Sequence, residues 1–198
     1  MGKAFAAWLM VASAVALPAM GPRETVESTL TRVVSVFQDA DLNAERRAEV
    51  RRIAHQLFDF AEMSRRTLSR HWATRSTTEQ AEFVALFTEL LERSYLNRLE
   101  GFASEKIAFV GEVVDGTYAT VKAKVLTPRR SETLLDYRLH VRDGRWRVYD
   151  VLIDGVSFVS TYRSQFDRVI TAESYDKLVE KLRRKNLDTA VAERAKRL

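Results

Sequence analysis

From Pro22 onward apolar residues recur every three or four positions, which is the period of a helix with one buried face. Val26, Leu30, Val33, Val34 and Phe37 mark the first such face, and Pro22 suits a helix start because its missing N–H is not needed there. Val50, Ile53, Ala54 and Leu57 mark a second, with Asp41 and Asn43 as candidate N-caps. Phe58-Asp59-Phe60 reads as a tight connection in which Asp59 caps a short third helix. That helix carries Met63, Thr67 and Leu68 inward and Arg65, Arg66 and Arg70 outward. Ser76-Thr77-Thr78-Glu79 has capping-box spacing, in which the hydroxyl and the carboxylate each take up a free backbone N–H. It opens the longest helix, about 77 to 100, with Phe83, Phe87, Leu90, Leu91 and Tyr95 on one face.

In the middle of the chain the period drops to two. Asp115-Gly116 and Asp143-Gly144 are two-residue hairpin signals between apolar runs. If both turns are tight, Val141 faces Trp146, Leu139 faces Val148, Tyr137 faces Asp150 and Leu135 faces Leu152, all on one nearly apolar face. The opposite face collects Asp136, Arg138, His140, Arg147 and Tyr149, with Val151 and Ile153 near its end. Around the other turn Ala119 faces Glu112, Val121 faces Val110 and Ala123 faces Ala108, a face of small residues that leaves room for a helix or a ligand. The run from Val148 to Ile153 is expected to break at Gly155 and pass straight into a helix with Val159, Tyr162, Phe166 and Val169 inward. Val156 to Arg184 reads as two helices, the second with Tyr175, Leu178, Val179 and Leu182 inward. The charged segment 187–198 is expected to be a frayed helix or a disordered tail.

The expectation is therefore an α+β domain over 22–186. A mainly antiparallel sheet of about four strands is wrapped by helices from both ends of the chain. A hydrophobic content of 46% in 198 residues supplies the core. Residues 1–21 resemble a secretory signal: Lys3, then an uncharged Ala-rich run, with Ala14-Val15-Ala16 or a site nearer Ala19 as the cleavage point. A retained anchor is the alternative. The chain has no cysteine, so disulfides, thiol nucleophiles and thiolate metal sites are excluded. Its net charge of +5 is interleaved and not gathered into a stripe, which argues against nucleic acid. No phosphate loop, HExxH or G-x-S-x-G occurs, and His55, His71 and His140 are scattered. No catalytic residue, metal or cofactor is expected. His71 reads as a packed histidine at a helix end. Arg163 reads as a solvated helix face or as a surface for a partner or headgroup.

One pair stands apart. Tyr137 opposite Asp150 puts a carboxylate on an apolar face, where it needs a hydrogen bond. The pair either fixes strand register or supplies a general base in an apolar cavity.

Three blocks of the chain resemble the MlaC family of periplasmic lipid carriers, also known as toluene-tolerance auxiliary proteins of an ABC transport system. They are YDVLIDGVSFVSTYRSQF at 149–166, Phe58 to Trp72, and Phe83 to Tyr95. The resemblance covers about 24 to 185 and implies an NTF2-like cone with an apolar pocket. The pocket residues would be Phe83, Phe87, Leu90, Ala119, Val121, Ala123, Tyr137, Leu139, Val148, Leu152, Val159, Tyr162 and Phe166. It further implies a monomeric periplasmic shuttle for a diacyl phospholipid, helping to maintain outer-membrane lipid asymmetry. Its partners would be an inner-membrane ABC transporter complex with a substrate-binding Mla-type subunit and an outer-membrane lipoprotein complex. A hopanoid-associated branch of the family and an NTF2-like enzyme using Asp150 and Tyr137 are the alternatives.

Overall fold

The computed structural model describes residues 18–38, 44–102, 106–126 and 132–195, with residue 38 and residues 96–102 and 187–195 described by backbone alone. Four helices come first: α1 (Pro22–Gln38), α2 (Ala44–Leu57), α3 (Phe60–Leu68) and α4 (Thr77–Phe102). Their starts follow the capping chemistry. The Asp59 carboxylate accepts the N–H of Glu62 at 3.0 Å, and a 3-10 turn at Ser69–His71 follows α3. Ser76 Oγ accepts the N–H of Glu79 at 3.3 Å, while Glu79 accepts that of Ser76 at 2.7 Å, the reciprocal pair of a capping box. Asp41 and Asn43, the cap candidates for α2, lie outside the described residues, as does the leader segment up to residue 17. Among the described residues no helix is long and apolar enough to cross a membrane.

The sheet is an antiparallel meander, β1-β2-β3-β4-β5, formed by Lys106–Asp115, Tyr118–Leu126, Glu132–Arg142, Arg145–Ile153 and Val156–Ser157. It has five strands where about four were expected. The extra one arises because Asp154-Gly155 is a third tight hairpin and not a strand-to-helix turn. Asp154 and Gly155 both have positive φ, as do Asp143 and Gly144, the requirement of a type I′ turn. Ile153 then pairs with Val156 before α5 (Phe158–Ala172) begins. The first hairpin closes one residue later than expected, on Gly116-Thr117, with Asp115 paired to Tyr118.

Two bulges change the faces. With the first turn moved by one residue, Ala119 faces Val114 and Val121 faces Glu112; the extra residue on β1 is Val110, and beyond it Ala123 faces Phe109. The expected face of small residues thus gains a phenyl ring. On β4 the extra residue is Tyr149. Leu139 still faces Val148 and Val141 still faces Trp146, but beyond the bulge Arg138 faces Asp150, Tyr137 faces Val151 and Leu135 faces Ile153. A one-residue slip exchanges the two faces of a strand. Tyr137 and Asp150 are therefore not partners, and Leu152 lies opposite Asp136 on the outer face.

The buried side chains form two clusters. One is helical, with Phe83, Phe87 and Leu90 of α4 packed against Val159 and Phe166 of α5 and against Tyr175 and Leu178 of α6 (Tyr175–Ala195). The other joins the inner face of the sheet to Val26 of α1 and Leu57 of α2. Phe58 touches both. Each fully buried Phe or Leu contributes about 1.5–3 kcal/mol, so each cluster is a substantial core. The charged segment beyond Asn186, expected to be a frayed helix or a disordered tail, is helical in its backbone as far as Ala195. Asn186 itself is buried and donates to the Leu86 carbonyl at 3.1 Å.

Candidate functional site

The inner face of the sheet presents an apolar surface to helices α1 and α2. Side chains alternate along a strand, so Ala119, Val121, Ala123 and Val125 of β2 lie in one row. Leu135, Tyr137, Leu139 and Val141 of β3 lie in the next. On β4, Trp146 and Val148 continue it, and Val151 takes over after the bulge. The face is covered unevenly. Val121, Leu139 and Val148 are fully buried in a cluster that includes Val26 and Leu57, and on β2 Ala123 and Val125 are fully buried as well. Leu135, Val151, Ile107 and Phe109 are only half-buried, and Ile153 is exposed. Next to them, at the end where β2 finishes and β3 begins, Leu126, Leu134 and Val156 are also exposed.

The helices are set on this face by polar contacts at its margins. Glu112 accepts the N–H of Arg23 at 3.1 Å, placing a carboxylate at the start of α1, where the helix dipole favours it. At the other end, Arg147 donates to the carbonyls of His55 (2.6 Å) and Gln56 (3.0 Å) in the last turn of α2. The chain then runs beside β4, with Phe58 bridged to Val148 and the Asp59 N–H donating to the Val148 carbonyl at 2.8 Å.

Of the residues expected to line a pocket, Ala119, Val121, Ala123, Tyr137, Leu139 and Val148 come together on the inner face. Phe83, Phe87, Leu90, Val159, Tyr162 and Phe166 come together in the helical cluster instead. There Phe87 meets Phe166 edge-on at 5.5 Å and Tyr162 at 5.1 Å, aromatic packing in its preferred geometry. The structure thus joins twelve of the thirteen residues into two groups, both packed against Phe58, and leaves Leu152 outside them. Phe109, Leu135 and Val151 belong with the first group. The sequence missed Phe109 and Val151 because bulges leave no simple mark in an alternating pattern.

The outer face carries the polar chemistry. Asp59, buried at 6% exposure, accepts hydrogen bonds from Arg142 Nη1 at 2.8 Å to each oxygen. His140 Nε2 lies 2.9 Å from the same carboxylate. Burial alone would raise the Asp59 pKa. The hydrogen bonds from His140, Arg142 and the Glu62 N–H, together with the Arg142 charge, outweigh it and hold the carboxyl well below the usual range. Beside it Tyr118, His140 and Tyr149 form a ring cluster, with the Arg66 guanidinium 4.1 Å above Tyr149. The alternation of His140 and Arg142 on one face signals this group once Asp59 is placed beside β4.

Asp150 is also buried, and its partners are local. It accepts from the Ser157 hydroxyl at 2.7 Å and from the Val159 N–H at 3.0 Å, with Arg138 at 3.5 Å. Ser157 in turn accepts the N–H of Ser160 as the N-cap of α5. This carboxylate anchors a helix start. It is not placed to act as a base with Tyr137, whose side chain belongs to the other face. His71 is packed at the end of the 3-10 turn, 2.7 Å from Asp167, and Arg163 is exposed on α5. Among the described residues no group of three or more His, Cys, Asp or Glu side chains is placed to hold a metal.

Two open surface depressions are present as well. One runs between α1 and Glu112 and is lined by Arg23, Glu24, Glu27 and Arg32. The other lies on α5 beside Arg70, Asp167 and Arg168. Both are charged and open and suit water and ions; the apolar surface is the inner face of the sheet.

A family model described as MlaC protein matches residues 24–184. The intermembrane phospholipid transport system binding protein MlaC of Haemophilus influenzae is 22% identical over 122 residues, which cover 59% of this chain and 57% of that protein. The alignment therefore spans little more than half the length of that relative. In fold, the chain is similar to a phospholipid-binding protein from Ralstonia solanacearum solved in complex with a phospholipid. The TM-score is 0.72 at 23% identity, covering 85% of this chain and 98% of the other.

Proposed function

The chain belongs to the MlaC family, and from that premise we propose that it is a periplasmic carrier of diacyl phospholipid. The observation that carries this reading is the half-covered apolar inner face of the sheet. It is packed at the Trp146–Val148 end and only partly buried at Leu135, Val151, Ile107 and Phe109. An acyl chain laid along the open part leaves water at about 0.8 kcal/mol per buried methylene. Fourteen methylenes fully buried would bring about 11 kcal/mol on the same scale. The phosphate headgroup stays in water and requires no charged pocket. The fold likeness to a protein crystallised with a phospholipid supports the same use of the scaffold.

In this reading the chain crosses the inner membrane by a cleaved leader and takes up or delivers lipid at two stations. One is an inner-membrane ABC transporter complex with a substrate-binding Mla-type subunit. The other is an outer-membrane lipoprotein complex. No group in the site performs chemistry, so loading and unloading are driven by the partners.

The test is native mass spectrometry of the protein purified from a bacterial host, followed by transfer of labelled phospholipid between vesicles. The expected result is protein carrying phospholipid mass and accelerated transfer. A compact, lipid-free protein that does not accelerate transfer would refute the carrier, and a bound triterpenoid would replace phospholipid with hopanoid as the cargo.

A further inference from the structure

Tyr137 sits in the middle strand of the inner face, between Val121 of β2 and Val151 of β4. It is 6% exposed. Its surroundings are hydrocarbon: Val121, Leu139, Val26 and Leu57 belong to the same buried cluster. Among the described residues its hydroxyl has no hydrogen-bond partner. Yet the oxygen is not sealed off, because the enclosed side-chain atoms without a partner are confined to Arg51, Arg75 and Asn186. The hydroxyl thus keeps a trace of accessibility on a side chain that is otherwise buried, one strand from half-buried Val151. The other buried tyrosine in the two clusters, Tyr175, behaves as a packed tyrosine should and donates to the Glu79 carbonyl at 3.1 Å. Burial pushes the Tyr137 phenol above its usual range, so it keeps its proton and remains a donor at neutral pH.

A phospholipid offers few acceptors to such a donor. Its hydrocarbon has none, and its phosphate is charged and best left in water. The ester carbonyl at the head of each acyl chain is the neutral acceptor that enters an apolar site with the chain. We infer that Tyr137 donates a hydrogen bond to the ester carbonyl of a bound acyl chain, so that the site selects ester-linked chains over ether-linked or oxygen-free ones. This rests on the carrier reading, and it adds a fixed depth at which the chain is held.

Tyr137→Phe removes the hydroxyl and keeps the ring. Delipidated full chain, wild type and variant, is titrated with a diester phosphatidylglycerol and with its dialkyl ether analogue of equal chain length. The wild type is expected to favour the ester by about fivefold, the worth of one net hydrogen bond. The variant should bind both lipids with the wild-type affinity for the ether. The thermal midpoint of the delipidated variant should be no lower, since no protein partner is lost. An equal ester-to-ether ratio in the two proteins, with binding intact, would overturn this inference and leave the carrier standing. A lowered midpoint with equal loss for both lipids would make Tyr137 a packing residue and overturn it likewise. Failure of both proteins to bind either lipid would remove the carrier reading and this inference together.

Discussion

The replacement of Asp59 by alanine tests the joint between the helical layer and the sheet. Asp59 caps α3, and its carboxylate also takes Arg142 and His140 from β3. Loss of an N-cap costs about 1 kcal/mol. Hydrogen bonds to a charged group contribute about 1.5–3 kcal/mol. The Arg142 side chain is 48% exposed, so water takes over much of its share, whereas His140 at 15% is left facing an apolar gap. The sum is a loss of about 3 kcal/mol, a large part of the roughly 5–15 kcal/mol that holds a domain folded. Asp59→Asn keeps the volume and a cap-competent carbonyl but turns an N–H₂ toward other donors, so it should recover only the cap, about 1 kcal/mol. The assay is urea unfolding of delipidated protein, with the slope m checked for constancy. If Asp59→Ala lies within about 0.5 kcal/mol of wild type, below the worth of a cap alone, the clip is solvated and the reasoning fails. If the asparagine is as damaging as the alanine, the cap carries no weight.

Because the Asp59 pKa is lowered on folding, its contribution is present above the unfolded value of about 3.9 and is lost as pH falls toward the folded value. Stability should therefore hold from neutrality to about pH 5 and fall below about pH 4, with a shallower fall in Asp59→Asn, read from urea midpoints. Asp150→Asn should cost about 1–2 kcal/mol through Ser157 and Val159 and leave lipid uptake unchanged; lost uptake at wild-type stability would place Asp150 in the site. Tryptophan at Val121, which is fully buried, should strain the packed end by about 1–3 kcal/mol in thermal unfolding. At half-buried Val151 the same ring should spare the thermal midpoint and lower the lipid per chain by mass spectrometry, and the reverse pattern would move the site to the packed end.

Local rules made much of the fold legible. The starts of α3 and α4 follow from Asp59 and from Ser76 with Glu79, because capping is decided within four residues. The two hairpins were visible because Asp-Gly tolerates positive φ, although the first turn closes on Gly116-Thr117 and uses only the freedom of the glycine. A third Asp-Gly, at 154–155, carried the same signal between Ile153 and Val156. It was masked by the helical spacing that begins only a few residues later. The site was less legible. Helical positions such as Phe83 and Phe166 show which face is buried but not against what, and here they bury against one another. The Tyr137–Asp150 pairing followed from uninterrupted alternation, and one extra residue undid it. Asp59 with His140 and Arg142 spans more than eighty residues of sequence, and no short-range pattern encodes such a contact.

The Tyr149 bulge has a consequence for how this protein can change. Before it, β4 turns Trp146 and Val148 to the sheet core. After it, Asp150 turns the other way to hold the start of α5, and Val151 returns to the core face. One strand thus serves two layers, with the phase of its alternation reset midway. Substitutions along β4 act singly, and a deletion of Tyr149 would remove only the bulge: Asp150 would still follow Val148 opposite Arg138, and Val151 would still face Tyr137. The bulge is therefore a place where β4 can lose a residue and keep both faces, at the loss of the Tyr149 ring from beneath Arg66.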